Sequence, residues 1–480
     1  MYDETWSSLK NHRRPEWLDD AKYGIYFHWG PYSVPECGIN GSWYPNQMYI
    51  KGMKQNRHHV KHYGDPSKFG YKDLIPFFTA EFFDADEWAK LIKDAGAKFA
   101  GPVTEHHDGF SMWKSDVNEW NAFNMGPKRD IVGEMATSLR KQGLKFMTAF
   151  HHAHRWYFYP HWKKKFDTSD PKYTELYGPL HDENARGIKA WFRQDPPNKE
   201  FLDNWFTKIK EVIDNYQPDL MWFDFGLGRI NDIYRKKMVA YYYNKAENWG
   251  KEVEILYKNH DLPPGVGILD YELGKSSQLT YHKWITDTTV DNQGAWSFVK
   301  KAGFKTPKKI IHDLVDRVAK NGYLLMNFGP KANGMIPEET KVIFKELGDW
   351  LRVNGEAIYG STSWSIAEEG PIKLRKSEFI EIQVFLFKER KNSIYSSKDI
   401  RFTSKGNALY AIVLGWPKNE LRIKKINPRK GLIYKNDIKS ITLLGYDGKL
   451  SWEYGKKGLT IQVPEIKPCK HAFVFKILFE

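Results

Sequence analysis

The sequence predicts an α/β fold, a (β/α)8-like TIM barrel followed by a C-terminal antiparallel β-sandwich domain. Short, nearly continuous apolar runs alternate with amphipathic helical patterns as far as about residue 360. Beyond that point the helical periodicity disappears, and short alternating runs are separated by turn residues. The chain has 480 residues, of which 41% are hydrophobic, so it can bury more than one core. We therefore place the barrel in residues 1–360 and the β-sandwich in residues 361–480.

Seven apolar runs indicate the strands of the barrel. Their nearly continuous apolar character is typical of parallel strands that are covered on both faces. Between them, residues 85–96 have helical spacing, with Trp88 and Ile92 on the apolar face, and residues 310–322 end in an Asn-Gly pair typical of a helix C-terminus. The strand candidates are residues 24–29, 98–107, 144–152, 220–226, 253–259, 265–271 and 323–329.

The C-terminal part carries nearly all of the net charge. Residues 371–480 contain 23 Lys and Arg and 10 Asp and Glu, whereas residues 1–370 contain 50 and 49. This local excess predicts an anionic partner, such as a sulfated or uronic polysaccharide, unless it serves only as a solvated basic surface. Antiparallel strands are indicated at residues 380–387, 408–416, 440–448, 459–465 and 471–479.

Several classes of protein are excluded by composition. Only Cys37 and Cys469 occur, so neither a disulfide framework nor a Cys-rich zinc site can form. The chain has no apolar stretch long enough to cross a bilayer, and its first residues lack the apolar core of a secretory signal. No nucleic-acid-binding motif accompanies the basic charge, so we expect neither a nucleic-acid partner nor a membrane span. Trp, Tyr and Phe make up 75 of the 480 residues, which suits a sugar-binding cleft or a large core.

Ionisable residues follow at least five of the predicted strands. In a TIM barrel the catalytic groups lie at the carboxyl-terminal ends of the strands. A single histidine at a strand end is more often structural, but the convergence of several ionisable groups on one rim predicts an active site. The candidates are His28, residues 105–108, residues 151–154, Asp224 and residues 270–272.

Asp224 is the sharpest single candidate, because it lies between Phe223 and Phe225. A carboxylate in such a setting must be hydrogen-bonded or reactive, since an unpaired buried charge is costly. A capping or salt-bridged aspartate is the structural alternative.

These segments resemble the retaining α-L-fucosidases of glycoside hydrolase family 29. The resemblance rests on YGIYFHWGPYSVPE at 23–36, EHHDGFSMWKS at 105–115, LMWFDFG at 220–226, and the blocks at 320–339 and 350–360, in matching order and spacing. It covers about residues 5–365, and the C-terminal domain matches only in position and type. The resemblance implies exo-hydrolysis of a terminal α-L-fucosyl unit through a covalent glycosyl-enzyme intermediate, with no cofactor and no metal.

The resemblance also implies roles for individual residues. Asp224 stands where the family has its nucleophile. His28 matches the histidine of the first strand, and His106 and His107 match the adjacent pair that binds sugar hydroxyls. Trp43 matches the tryptophan of the EWY motif and is expected to give the sugar an apolar contact, although this chain has Ser42 in place of the glutamate.

Other family positions match more loosely. Phe150 or His151 falls near a strand-end tyrosine, and we assign His151 to the substrate. Lys258 and His260 lie where a fucose-contacting arginine often sits, and we assign Lys258. His282, Trp284 and Trp296 are expected to line the aglycone side, with ordinary packing as the alternative.

The acid/base is assigned to Glu272. It follows an apolar strand and lies 48 residues after Asp224. Glu254 suits the role less because it lies within a strand, and Asp287 is the third choice.

Two other functions compete with this prediction. A metal-dependent barrel hydrolase could use His152 and His154 as a His-x-His pair, although the adjacent His106 and His107 should point apart on a regular strand. A catalytically inactive fucose-binding protein would keep the histidines and tryptophans without a working acid/base. The expected partner is a fucosylated glycan, and the basic C-terminal domain favours a sulfated fucan fragment. We expect a periplasmic or extracellular location, since such hydrolases usually meet their substrates outside the cytoplasm.

Overall fold

The computed structural model describes residues 1–38, 40–181, 196–372 and 394–480. Eight parallel strands close into a barrel in chain order, and the last strand pairs with the first. This closed barrel confirms the predicted fold class. The strands are β1 (Tyr23–Phe27), β2 (Phe99–Glu105), β3 (Lys145–Phe150), β4 (Leu220–Phe223), β5 (Glu254–Tyr257), β6 (Ile268–Asp270), β7 (Trp284–Thr289) and β8 (Gly322–Phe328).

Seven of these strands coincide with the predicted runs, and β7 was missed. Its sequence, WITDTT, is interrupted by an aspartate and three threonines, so it lacks an apolar run. All six of its residues are nevertheless buried, and Asp287, two positions after the inward-facing Ile285, also points into the barrel.

The helices lie outside the barrel. The two predicted helices are confirmed at Ala85–Asp94 and Pro307–Ala319, and the Asp84 carboxylate caps the first by accepting from the Glu87 N–H. None of the described helices is both long and apolar enough to cross a membrane. The α-helices are Trp6–Leu9, Glu16–Ala21, Tyr44–Gln47, Lys54–His62, Ala85–Asp94, Ile131–Lys141, Thr174–Tyr177, Lys199–Tyr216, Asp232–Trp249, Pro307–Ala319 and Glu338–Asn354.

Side chains alternate between two environments along the barrel strands. Trp222 and Leu325 point inward and join an apolar cluster that fills the barrel. Met221 and Leu324, one residue earlier on the same strands, pack outward in the larger core that includes the helices. This alternation is the period-2 geometry of a strand, and it decides which residues reach the central cavity.

The C-terminal part consists of two antiparallel sheets that share one core. Four of the five predicted strands are present, and the prediction at 380–387 lies outside the described residues. The proposed domain boundary at residue 360 stays a prediction. The strands of this part are β9 (Thr362–Glu369), β10 (Ile400–Lys405), β11 (Ala408–Val413), β12 (Glu420–Ile423), β13 (Ile438–Leu443), β14 (Trp452–Gly455), β15 (Gly458–Gln462) and β16 (Phe473–Phe479). One sheet has five strands in the order β13-β16-β11-β10-β9, and the other has three strands in the order β12-β15-β14.

A buried ionic cluster joins the C-terminal sheet to the barrel. Arg401 on β10 donates through Nε to Asp316 Oδ1 of helix Pro307–Ala319 at 2.5 Å, and both side chains are at most 2% exposed. Lys320 lies 3.1 Å from Asp316 and 3.0 Å from Glu368 of β9. Two cations therefore neutralise two carboxylates at this junction.

We expect Arg401→Ala to lower the free energy of unfolding by about 3–5 kcal/mol, because it leaves Asp316 and Glu368 with one cation in a dry environment. The change is measured as a shift of the urea unfolding midpoint followed by tryptophan fluorescence. Arg422→Ala is the control, because Arg422 pairs with Glu420 on the surface, at 42% and 45% exposure, and should change stability by less than about 1 kcal/mol. Equal effects of the two substitutions would contradict a structural role for the buried cluster.

Candidate active site

The carboxyl-terminal ends of the barrel strands surround a small cavity. Nine of the ten site residues predicted from the sequence line this cavity, and the tenth, Trp284, lies elsewhere. The lining residues are Tyr26, His28, Asn40, Ser42, Trp43, His106, His107, His151, Asp224, Phe225, Lys258, Glu272, Asp287 and Trp296.

Strand alternation explains why these side chains converge. Each of the principal polar residues stands two positions after a side chain that points into the barrel, and it therefore points the same way. The pairs are Tyr26 and His28, Ala149 and His151, Trp222 and Asp224, Leu256 and Lys258, Asp270 and Glu272, and Ile285 and Asp287.

The second strand departs from this rule, and the departure brings two adjacent histidines into the cavity. The register between β2 and β3 shifts between Val103 and Glu105. Glu105 consequently faces away from the cavity and pairs with Lys208 Nζ of helix Lys199–Tyr216 at 2.9 Å, with both side chains fully buried. His106 and His107 lie beyond the strand, with ring centroids 4.3 Å apart, so the expectation that they point apart was wrong.

Lys258 is the electrostatic centre of the site. Its Nζ lies 3.0 Å from Asp224 Oδ1, 2.9 Å from Glu272 Oε2 and 3.2 Å from Asp287 Oδ2. The ammonium group also lies 4.6 Å from the centroid of the Trp222 ring. Residues 259 and 260 both adopt a left-handed conformation, so the chain turns sharply directly after Lys258.

Asp224 is held as a carboxylate. Its backbone N–H donates to the Phe150 carbonyl at 3.0 Å, and His151 Nδ1 lies 2.9 Å from its Oδ2. Burial acts to raise the pKa of Asp224, but the charge of Lys258 and the contact with His151 outweigh burial and hold this pKa well below 3.8. Asp224 is therefore ionised throughout the physiological range.

Glu272 is in the opposite state. Burial raises the pKa of Glu272 to about 7. The negative charges of Asp287 and Asp224 also raise this pKa, and together with burial they outweigh Lys258, which lowers it. Its side chain is 24% exposed, more than that of Asp224 at 6%, so Glu272 lies on the open side of the cavity. Leu273 adopts a left-handed conformation with φ 53°, and its N–H donates to the Asp287 carbonyl at 3.0 Å, which fixes the backbone after Glu272 against β7.

Two further aspartates lie beneath these groups inside the barrel. Asp287 accepts from the Tyr26 hydroxyl at 2.9 Å, and Asp270 accepts from the Trp222 Nε1–H at 2.7 Å. Burial, reinforced by the charge of Asp287, raises the pKa of Asp270 well above 3.8. Asp287, the third choice for the acid/base, is fully buried and already engaged with Lys258.

Hydrogen bonds fix the orientation of two histidines in the cavity. Asn327 Oδ1 on β8 accepts from the backbone N–H of His28 at 3.1 Å and from its Nδ1 at 2.8 Å. His107 Nδ1 donates to the His151 carbonyl at 2.7 Å. Burial lowers the pKa of His28 well below 6.5 and that of His107 to about 3, so both rings are neutral and can donate from one nitrogen while accepting at the other.

Two tryptophans form apolar walls on different sides of the cavity. Trp43 is half-buried and lies nearly parallel to Phe225, with ring centroids 6.3 Å apart. Trp296 is 5% exposed and lies 5.4 Å from the ring of His28. Phe225 and Asn40 were not predicted as site residues. Phe225 could have been found from its place next to Asp224, whereas nothing in the sequence around Asn40 distinguishes it.

The predicted site role of Trp284 was wrong. Trp284 is the first residue of β7, at the amino-terminal end of the barrel, and its Nε1–H donates to the Lys320 carbonyl at 3.1 Å. His282 is exposed and lines, with Trp284, a separate groove along the outside of the barrel. Glu254 also lies at the amino-terminal end, where its carboxylate accepts from the Ile255 N–H at 2.9 Å.

The structure does not support the His152 and His154 metal pair. The segment His152–Arg155 is a 3-10 turn, so its alternate residues do not share one face. The His152 Nε2 lies 3.3 Å from the Trp205 carbonyl, and the His154 ring lies 4.8 Å from that of Phe225. The two histidines therefore face different neighbours.

Paired acidic side chains at the carboxyl-terminal edge of a TIM barrel are the arrangement that glycoside hydrolases use. A family profile for α-L-fucosidase matches residues 1–356, and a profile for the α-L-fucosidase C-terminal domain matches residues 393–478. The chain therefore belongs to the α-L-fucosidases of glycoside hydrolase family 29, as the resemblance predicted.

Known proteins agree with this placement along the whole chain. Bovine tissue α-L-fucosidase is 30% identical over 97% of this chain and 88% of its own length, and human tissue α-L-fucosidase is 30% identical over 97% and 89%. The crystal structure of a Thermotoga maritima α-fucosidase in complex with fucose is 28% identical, covers 100% of both chains and superposes with a TM-score of 0.78.

Proposed function

We propose that this α-L-fucosidase works by a retaining double displacement, with Asp224 as the nucleophile and Glu272 as the acid/base. The main support for this mechanism is that one nitrogen, Lys258 Nζ, lies within 3.0 Å of an oxygen from each carboxyl group. Those two oxygens can therefore be no more than about 6 Å apart, which is compatible with the ~5–5.5 Å separation of the carboxyl groups in retaining enzymes.

In the first step, Asp224 attacks the anomeric carbon of the fucosyl unit. The low pKa of Asp224 keeps it ionised, and His151 and Lys258 orient its two oxygens separately. Glu272, with a pKa of about 7, is protonated at slightly acidic pH and gives its proton to the departing glycosidic oxygen. The products of this step are an ester on Asp224, the released aglycone and an ionised Glu272.

In the second step, Glu272 takes a proton from the incoming water, which breaks the ester. Formation of the ester removes the negative charge of Asp224, and that charge is one cause of the raised Glu272 pKa. The pKa of Glu272 therefore falls in the intermediate, as a general base requires. Lys258 contacts both side chains, so it can balance whichever one is ionised.

The remaining cavity residues bind the sugar. His28 and His107 present neutral rings that can exchange hydrogen bonds with hydroxyl groups, and His106 and His151 complete this side of the cavity. Trp43 and Trp296 supply apolar contacts for the ring face and the C5 methyl group. Exo-action on a terminal fucose is part of the same proposal and rests on the family to which the chain belongs.

We further propose that the natural substrate is a sulfated fucan fragment. The exposed Lys456 and Lys457 form the tip of the β14–β15 hairpin, and Lys424 follows β12 directly beside Gly458 of that hairpin. These lysines concentrate positive charge on one edge of a domain that is basic overall, and such an edge attracts sulfate esters.

The nucleophile is tested by Asp224→Ala with an aryl α-L-fucoside, whose good leaving group reduces the need for Glu272. We expect the rate to fall by about 10⁴-fold, since loss of a catalytic aspartate has effects of that order. Asp232→Ala, which removes a surface aspartate that pairs with Lys236, should leave the rate unchanged. Proton NMR of the first wild-type product should show α-L-fucose.

Two results would redirect this proposal. Release of β-L-fucose would contradict retention. Tight binding of fucose without turnover of any fucoside would favour the catalytically inactive fucose-binding protein. The placement of Asp224 and Glu272 on one lysine argues against that alternative, because a binding protein has no need of two carboxyl groups in opposite ionisation states.

A pH profile tests the control of Glu272. In the wild type, kcat/KM should fall as pH rises through about 7, because Glu272 then loses the proton it must donate. Asp287→Asn removes a negative charge that raises the pKa of Glu272, and Lys258 then pairs only with Asp224 and Glu272. The pKa of Glu272 should fall, so the alkaline limb of the profile should move to lower pH. A control at the surface, Asp86→Asn, should not move it, and an unmoved or raised limb in Asp287→Asn would refute the assignment.

Charge reversal tests the sulfated substrate. We expect the double variant Lys456→Glu/Lys457→Glu to lower kcat/KM for a sulfated fucooligosaccharide and to weaken its dependence on salt, because fewer cations face the sulfates. Turnover of the unsulfated oligosaccharide should not change. The matched control Lys61→Glu/Lys68→Glu changes two exposed lysines of the barrel domain. Identical salt dependence for sulfated and unsulfated substrates in the wild type would end the proposal.

A further inference from the structure

We propose that His28, His106 and His151 form a binding site for a divalent transition-metal ion such as Zn²⁺, and that the bound ion inhibits the enzyme by excluding the fucosyl unit. The inhibition rests on the proposed role of this cavity in sugar binding, whereas the metal site itself does not. The ion is an inhibitor here and takes no part in the reaction.

The three rings have the spacing of a site that closes on an ion. One ring nitrogen from each residue lies within 4.8 Å of the others, and the ring centroids are 4.5 to 5.4 Å apart. A Zn–N bond of about 2.0–2.1 Å places the nitrogens of a tetrahedral ion about 3.4 Å apart. Small rotations of the rings therefore suffice to bring the three nitrogens into place, and a water molecule can complete the tetrahedron.

The coordinating lone pairs are available. The His28 Nδ1 donates to the Asn327 amide oxygen at 2.8 Å, which leaves the lone pair of Nε2 for the cavity. The His151 Nδ1–H points to Asp224 Oδ2, and within the described residues the Nε2 of His151 has no hydrogen-bond partner. The buried Nδ1 of His106 likewise has none in that part of the chain.

The atoms behind two of the rings are arranged as in known metal sites. A histidine that binds a metal usually donates its other N–H to a carboxylate or a carbonyl oxygen, which fixes the tautomer and makes the ligand nitrogen more basic. Asp224 occupies this place for His151, and the Asn327 amide oxygen occupies it for His28. A hydrogen-bonding site for sugar hydroxyls needs no carboxylate behind its imidazole.

Charge also favours a cation. Of the described residues that line the cavity, Lys258 is the only lysine or arginine, whereas Asp224, Glu272 and Asp287 are acidic. This excess of negative charge does not stabilise the binding of an apolar sugar face, but it does stabilise the binding of a dication.

One other histidine pair must be separated from this site in any experiment. His58 and His62 stand one turn apart on the helix Lys54–His62, with ring centroids 4.4 Å apart, and His62 is exposed. Such a pair can hold an ion weakly with two ligands. His62→Ala removes it at a distance from the cavity and serves as the matched control.

Binding is measured first, without reference to turnover. Co²⁺ is added to the metal-free protein, and the visible absorption of tetrahedral cobalt reports three-histidine coordination. We expect this signal in the wild type and in His62→Ala, and its loss in both His106→Gln and His28→Gln, whose folding is checked by near-ultraviolet circular dichroism. Loss of one ligand should weaken binding by more than about 100-fold, since even loss of a partner behind a ligand costs ~10–100-fold.

Competition then tests the inhibition. L-Fucose at 100 times its Kd should raise the apparent Kd of Zn²⁺ about 100-fold. Zn²⁺ should act as a competitive inhibitor of aryl fucoside hydrolysis, and EDTA should reverse this inhibition. Three results would each overturn the inference. The first is loss of the cobalt signal in His62→Ala, and the second is its persistence in both His106→Gln and His28→Gln. The third is simultaneous binding of Zn²⁺ and fucose. A cobalt signal without fucosidase turnover would refute only the proposed reaction, so the two failures are distinguishable.

Discussion

The site depends on a single buried cation. Lys258 lies within 3.2 Å of three carboxyl groups that come from β4, β7 and the segment after β6. Without it, these groups would repel one another in an environment that cannot screen them. A lysine suits this geometry, because its compact ammonium group can donate in three directions, whereas the planar guanidinium of an arginine favours one bidentate partner.

The same cation separates the ionisation states of the two groups that flank it. Asp224 is next to Lys258 and His151, so its charged form is favoured despite burial. Glu272 is next to Lys258 but also faces Asp287 and Asp224, so its neutral form survives to about pH 7. The pKa of Asp270 beneath them is raised for a related reason, since Asp270 is buried and lies beside Asp287. Two carboxyl groups on one lysine thus acquire different roles through their other neighbours.

Strand periodicity made most of the site predictable from the sequence. An apolar run that ends in a polar residue marks both a barrel strand and the group at its open end. His28, His151, Asp224 and Glu272 were found in this way, whereas Lys258 was assigned from the family resemblance. The prediction failed where that signal was absent or misleading. β7 has no apolar run, because Asp287 and Thr289 follow Ile285 at its inward positions and two more threonines stand between them. Trp284 lies at the closed end of this strand, although the family resemblance implied a place on the aglycone side. The register shift in β2 cannot be read from the sequence, yet it decides that His106 and not Glu105 enters the cavity.

Recognition of a neutral sugar and sensitivity to metals arise from the same physical feature. To bind hydroxyl groups, an imidazole must be neutral and held in one tautomer, and here burial and the contacts from Asn327 and Asp224 provide both. A neutral, oriented imidazole with a free lone pair is also a good metal ligand. The acidic groups needed for double displacement add a negative field that neutral fucose does not require but a dication does. Affinity for a transition metal is therefore a consequence of how this cavity recognises its sugar, and substitutions that remove it should also weaken the binding of fucose.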